Sequence, residues 1–240
     1  MKRHIPNTIT CLNLASGFTA IIFAINGNLA IDSWLIIAAM TFDFFDGFSA
    51  RALKSYSDIG KELDSLADMV SFGVAPAIIL YKQMELSLGL STPYDILSLP
   101  SGQLFPLLVT VIMPICAGLR LAKFNIDDTQ KDSFKGLATP ASALLIVSIV
   151  LANNYSGSQL ATWLLGSTAS IIAITIILSL LMVSRIPMLS LKFHNLNFKE
   201  NASRFIFLAL SILAIVFFGI GGAPLIIPIY VITSIVSLFF

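Results

Sequence analysis

The chain has 240 residues, of which 57% are hydrophobic and 11% charged, with a net charge of +1 and a mean hydropathy of +0.91. That balance excludes an ordinary soluble domain and describes a polytopic membrane protein. The near-neutral charge by itself predicts nothing about partners, and no nucleic acid is expected among them; Cys11 and Cys116, both in apolar runs, suggest no disulfide framework.

A helix needs about 20 residues to cross the hydrocarbon layer. Apolar runs predict spans near 8–26, 29–50, 63–84, 103–123, 138–154, 160–184, 203–219 and 223–240, eight in all. The first begins "MKRHIPNTITCLNLASGF" and is interrupted by Thr8, Thr10 and Asn13, so it reads as a retained span rather than a cleaved signal. The last two form a hairpin turned by Gly219, Gly221, Gly222 and Pro224. Backbone groups cannot stay unpaired in lipid, and a barrel would alternate apolar with polar residues, so the fold class is all-α.

Basic residues fall at alternate connections: Lys2 and Arg3; Arg51, Lys54 and Lys61; Arg120, Lys123, Lys131 and Lys135; Arg185, Lys192, Lys199 and Arg204. The intervening connections carry no Lys or Arg, apart from Lys82 at the far end of the third span, which can snorkel. The positive-inside rule therefore puts both termini and the acidic segment at 43–68 in the cytoplasm, as in a bacterial-type cytoplasmic membrane. His4 and His194 stand isolated and read as interfacial polarity.

Asp43 and Asp46 are three residues apart at the end of the second span, and Asp64 and Asp68 four apart at the start of the third. Each spacing puts two carboxylates on one helix face, and the short connection makes the helices antiparallel neighbours. Four converging carboxylates repel one another unless cations sit among them; oxygen-only ligands favour Mg²⁺ or Mn²⁺, and the number of acids allows two ions. Such ions share their shells with phosphates, which suggests phosphoryl chemistry. Gly47 and Gly60 remove side chains where a phosphate or nucleotide approaches, and Arg51 is placed to grip phosphate. Asp58 and Glu62 read as solvated interfacial charges.

The pattern D-x2-D-G-x2-A-R-x8-G-x3-D-x3-D, met by Asp43, Asp46, Gly47, Ala50, Arg51, Gly60, Asp64 and Asp68, resembles the signature of the CDP-alcohol phosphotransferases. The resemblance implies a six-helix core and a homodimer, with two metal ions held by the four aspartates. It also implies a CDP-linked donor over Gly47, Ala50, Arg51 and Gly60, and Asp68 as general base. "IPNTITCLN" is similar to the family's first span and offers Asn7 and Thr10 to the cytidine. Asn13 stands where the phosphatidylglycerophosphate branch usually has a basic residue.

"SLADMVSFGVAPA", "LRLAKFN" and "FKGLATPASA" resemble the phosphatidylserine synthase branch. On that branch the donor is CDP-diacylglycerol and the acceptor L-serine, whose carboxylate is matched by Arg120 and Lys123, with Asn125 beyond them. Ser71 and Gly73 read either as pocket lining or as close helix packing, and Thr139 and Pro140 as the start of the fifth span. The chain is expected to be one membrane domain, 1–240, with a catalytic core at 5–200 and an additional hairpin at 203–240. Membrane lipids are its surroundings. The alternatives are a phosphate-bearing acceptor such as glycerol 3-phosphate or inositol phosphate, a divalent-cation transporter, and an inactive scaffold; fewer cations than a second phosphate asks for favours serine.

Overall fold

The computed structural model describes residues 4–55, 57–91, 93–127, 134–190 and 201–239. Lys2, Arg3, Lys131, Lys192, His194 and Lys199 lie outside them. Helix α1 (Ile5–Ile25) opens with Pro6 in its first turn, where a missing N–H costs nothing. A tight turn with Gly27 at φ +82° reverses the chain into α2 (Leu29–Ala52), which packs along α1 as its main partner. Ser57 then caps α3 (Asp58–Asp68), its Oγ accepting from the Gly60 amide at 3.0 Å.

Directly after Asp68 the helix widens into a π segment, Met69–Val74, before resuming as α4 (Ala75–Ser87). The wider turn re-aims the side chains that follow. It brings Ser71 against Gly17 of α1, where a Cβ on Gly17 would lie 2.1 Å from Ser71 Oγ and 2.7 Å from Ser71 Cα. Ser71 Oγ donates to the Asn13 carbonyl at 3.0 Å, and Gly73 packs on Ala117. Of the two readings that Ser71 and Gly73 allowed, the packing one describes their contacts.

Helices α5 (Ser101–Val109) and α6 (Ile112–Ile126) follow one another across a short break. A two-residue strand β1 (Phe134–Lys135) leads into α7 (Thr139–Ser156), which starts with Pro140 and stops at Gly157, φ +58°. The run read as one helix at 160–184 is two: α8 (Gln159–Gly166) and α9 (Thr168–Val183) meet at 89°. Ser167 makes the corner by capping α9, and Ser170 Oγ bonds back to the Leu164 carbonyl at 2.6 Å, so a local cap overrides the continuous apolar pattern.

Strand β2 (Pro187–Met188) pairs antiparallel with β1, Phe134 opposite Met188. The chain ends in α10 (Ala202–Phe218), a 3-10 turn at Gly219–Leu225, and α11 (Ile226–Val236). Gly222 lies against the Ala214 backbone, where a Cβ would meet the carbonyl oxygen at 2.1 Å, so the segment folds back as a hairpin. Its second arm, expected at 223–240, is an α-helix of only 11 residues.

Among the described residues, four helical stretches are long and apolar enough to cross a membrane: Ile5–Ile25, Asp58–Ser87, Ser101–Ile126 and Ala202–Val236. The bent pair α8 and α9 makes a fifth if it is one span. The all-helical class expected is observed; of the eight spans expected, four stretches, or five with the bent pair, are long and apolar enough. The outside is apolar, with Phe44, Phe105, Trp163 and Phe217 each more than half exposed, while a core of Ile36, Phe72, Ile79, Met84, Ile146 and Leu178 is closed. That is the pattern of a bundle solvated by hydrocarbon.

The two ends of the bundle differ. Asn7 meets Gly60 at one end, and Lys61 Nζ reaches the Asn125 carbonyl there at 2.9 Å. The Leu189 amide meets Ser234 Oγ at 3.1 Å, so the last turns of α11 run beside the β1–β2 pair. At the other end Gly221 meets Ser156, and Lys82 pairs with Glu85, whose Oε1 accepts from Tyr94 at 2.5 Å. Replacing Gly17 with leucine is expected to force α1 off the π segment, destabilising the fold by about 1–3 kcal/mol; a lowered Tm in detergent is the readout, and an unchanged Tm would mean that the contact at Ser71 relaxes freely.

Candidate active site

Helices α2 and α3 deliver the acidic residues. Among the described residues, one oxygen each of Asp43, Asp64 and Asp68 lie within 4.8 Å of one another, a group able to hold a metal ion. Asp68 is only 8% exposed and Asp46 6%. Asn13, wholly buried on α1, donates from Nδ2 to Asp68 Oδ1 at 3.3 Å, which fixes the rotation of that carboxylate. Asp46 stands outside the group of three, one turn along α2, and shares a cleft with Asp64.

Whether a cation suits these residues is answered by their oxygens. Among the described residues, buried Asp46 Oδ2 and Asp64 Oδ1 have no hydrogen-bond partner, and an all-oxygen donor set is what a hard divalent ion takes. A positive charge that acts on Asp43 and Asp68 is Arg120 of α6. One guanidinium does not balance three carboxylates, so the residues fit a divalent ion held by Asp43, Asp64 and Asp68, with Asp46 at its flank.

Beside the group lies a cleft of about 210 Å³ bounded by α1, α2 and α3. Asn7, Thr10, Gly47, Ala50, Arg51 and Gly60, the residues expected to hold the nucleotide, all line it. Gly60 is required by the crossing: a Cβ there would lie 3.0 Å from Asn7 Oδ1 and 2.9 Å from Ser57 Oγ. A Cβ on Gly47 would meet only the Arg51 guanidinium, at 3.7 Å, so the space over Gly47 is kept for something outside the chain.

A second cavity, of about 430 Å³, is bounded by α6, the end of α9 and the β1 segment. Arg120 and Lys123, the residues expected to meet the acceptor, line it, joined by Lys135 and Arg185 and by one acid, Asp127, which accepts from Lys135 at 3.3 Å. Arg120 is held by a hydrogen bond to Thr139 Oγ1 at 3.2 Å and by the Phe124 ring, 5.4 Å from its centroid. Thr139 thus does more than start a helix. Asn125 is not in the lining; its Nδ2 donates to Ser65 Oγ at 2.8 Å, tying α6 to α3.

Sequence reasoning passed over Asn13 as a site residue, although Asn7, Thr10, Asn13 and Gly17 recur at helical spacing in a span that is otherwise apolar. Lys135 and Arg185 left no such signal. They are 50 residues apart, and only the β1–β2 pairing brings them to one cavity.

Residues 3–181 match the CDP-alcohol phosphatidyltransferase family. The chain is 36% identical over 191 residues to a CDP-diacylglycerol–serine O-phosphatidyltransferase of Bacillus subtilis, covering 80% of this chain and 93% of that one. It is 34% identical over 198 residues to the protein of the same name from Mycobacterium leprae, covering 77% of this chain but spanning only 57% of that relative. An archaetidylserine synthase of Methanothermobacter thermautotrophicus is 34% identical over 154 residues, 63% of this chain and 60% of its own.

Metal binding by the group of three is measurable without turnover. Titrating the purified protein with Mn²⁺, followed by electron paramagnetic resonance, is expected to show saturable binding that weakens at least about tenfold in Asp64→Asn and stays within about twofold in Lys123→Ala, which lies in the other cavity. Equal binding by wild type and Asp64→Asn would remove the carboxylate group as the metal centre.

Proposed function

The chain belongs to the CDP-alcohol phosphatidyltransferase family, and from that membership we propose that it transfers a phosphatidyl group from CDP-diacylglycerol to the hydroxyl of L-serine, giving phosphatidylserine and CMP. The observation that carries this reading is the group of three carboxylates beside a cleft lined by the signature glycines and Arg51, with a cationic cavity linked to the group through Arg120. Relatives named as transferring to serine support the acceptor.

The nucleotide lies in the cleft of α1–α3, with Asn7 and Thr10 at the base and Arg51 on phosphate. Mg²⁺ or Mn²⁺, one or two ions held by Asp43, Asp46, Asp64 and Asp68, would neutralise the charge developing on the transferred phosphate. Serine sits in the second cavity with its carboxylate on Arg120 and Lys123. Asp68, steadied by Asn13, takes the hydroxyl proton; the serine oxygen attacks the phosphorus that carries diacylglycerol, and the bond to CMP breaks. Positioning and electrostatics do the work of such a displacement, and no covalent enzyme intermediate is required.

The active end faces the cytoplasm, where the basic connections gather, in a cytoplasmic membrane crossed eight times. The protein works as a homodimer. Lys135 and Arg185 bring the cations of the acceptor cavity to four, which favours a second reading in which the acceptor carries a phosphate. Counting cations therefore does not separate serine from glycerol 3-phosphate; the relatives' acceptor does.

Purified protein given CDP-diacylglycerol and Mg²⁺ or Mn²⁺ is expected to release CMP when serine is added, with phosphatidylserine formed. Release only with glycerol 3-phosphate or inositol phosphate would move the acceptor, and no release with any would end the transferase reading in favour of a transporter or scaffold. Asp68→Asn is expected to lose at least about 10²-fold in kcat while still binding CDP-diacylglycerol; full activity would remove Asp68 as the base.

A further inference from the structure

The cationic cavity has an inner and an outer end. Arg120, Lys123 and Asp127 line it from α6 at spacings of three and four, so they share one helix face. Seven residues of helix put Asp127 about 10 Å along the axis from Arg120. Arg120 is the inner end, acting on Asp43 and Asp68. Asp127 is the outer end and the C-cap of α6, its amide donating to the Lys123 carbonyl at 3.1 Å. Strand β1 brings Lys135 to it, Nζ donating to Asp127 Oδ2 at 3.3 Å.

That acid is out of place on local grounds. A carboxylate at a helix C-terminus meets the negative end of the helix dipole. Its pairing with Lys135 does little to offset this, because the two side chains are 27% and 43% exposed, and an ion pair open to solvent stabilises a fold only slightly. Among the described residues Asp127 is the only acid in the lining, and Lys123 and Arg185 make no ion pair. A cavity that took any anion would be better without Asp127.

We propose that Asp127 is a specificity-determining residue, whose charge admits a zwitterionic amino alcohol and turns away acceptors that carry a phosphate. The inference rests on the transferase reading above. L-Serine has no net charge, its ammonium and carboxylate sharing one carbon, so an acid at the outer end attracts the one about as much as it repels the other. A phosphate acceptor is anionic throughout. With the hydroxyl of glycerol 3-phosphate at Asp68, its phosphate, on the third carbon, points out along the cavity towards Asp127. Lys135, the cation that would have met it, is already engaged by that acid. Like charges placed in this way exclude a wrong partner with little effect on the right one.

The test compares Asp127→Asn, Asp127→Glu and Lys135→Gln in the full-length protein at low salt. Glycerol 3-phosphate is titrated calorimetrically, and is also tried as an acceptor and as a competitor of serine in CMP release. Asp127→Asn is expected to bind glycerol 3-phosphate at least about tenfold more tightly than wild type and to lower the preference for serine, as a ratio of kcat/KM values, by a similar factor. Asp127→Glu is expected to keep the wild-type preference. Lys135→Gln is expected to move the other way, binding glycerol 3-phosphate more weakly than wild type, and added salt to narrow both differences.

A pair that merely braces β1 would make Asp127→Asn and Lys135→Gln alike, since either breaks it. Shifts of the same sign in the two, or an unchanged glycerol 3-phosphate affinity in Asp127→Asn, would overturn the proposal. If Asp127→Asn does not fold, Lys135→Gln decides alone, and equal or tighter binding by it overturns the proposal. Because the titration needs no turnover, absence of CMP release from the wild type would defeat the transferase reading while the affinities still decide the role of Asp127.

Discussion

Three carboxylate oxygens within 4.8 Å of one another, at the end of a bundle whose outside is hydrocarbon, set the terms for the rest of the structure. At an effective dielectric near 20, each pair of full charges at that distance repels by about 3.5 kcal/mol. The helices bearing them must be held together from elsewhere. Gly17 lets α1 close on the π segment behind Asp68, Asn13 fixes Asp68 from the same helix, and Asn125 and Lys61 tie α6 to α3. These contacts pre-form a cluster that a divalent cation would complete, and ion binding would then be part of the fold's energetics.

The local parts of the site were legible in the sequence because they are local. Asp43 with Asp46, and Asp64 with Asp68, sit on two adjacent helices, so helical periodicity and a short connection place them together. The cleft beside them adds only α1, the next neighbour, and the residues expected for the nucleotide share its lining. The cationic cavity was less legible. Lys135 and Arg185 are joined by strand pairing across a long separation, and Asn125 turned out to bind Ser65 because its helix face points to α3 rather than to the cavity.

Hydropathy likewise carried the fold class but not each helix. The apolar run at 160–184 has no charged residue before Arg185 to mark a break, yet Ser167 and Ser170 satisfy enough backbone groups to turn the chain by 89°. The converse holds in α2, a 24-residue helix whose aspartates and arginine lower its apolar signal while it carries half of the acidic signature. Function is written into α2 at the expense of hydropathy, as expected where ionisable groups serve a site.

Three cavities of different chemistry lie around the carboxylates: glycines and Arg51 of α1–α3 line one, cations of α6, β1 and the segment after α9 the second, and apolar residues of α2, α7 and the hairpin the third. A single phosphorus bonded to a nucleotide, about to bond an alcohol, and attached throughout to a lipid needs three such approaches. Attack and departure on opposite sides of that phosphorus require that the alcohol and the nucleotide not share a pocket, and separate walls provide this without any moving part. The lipid, which stays bonded before and after, is the one group that need not exchange with water.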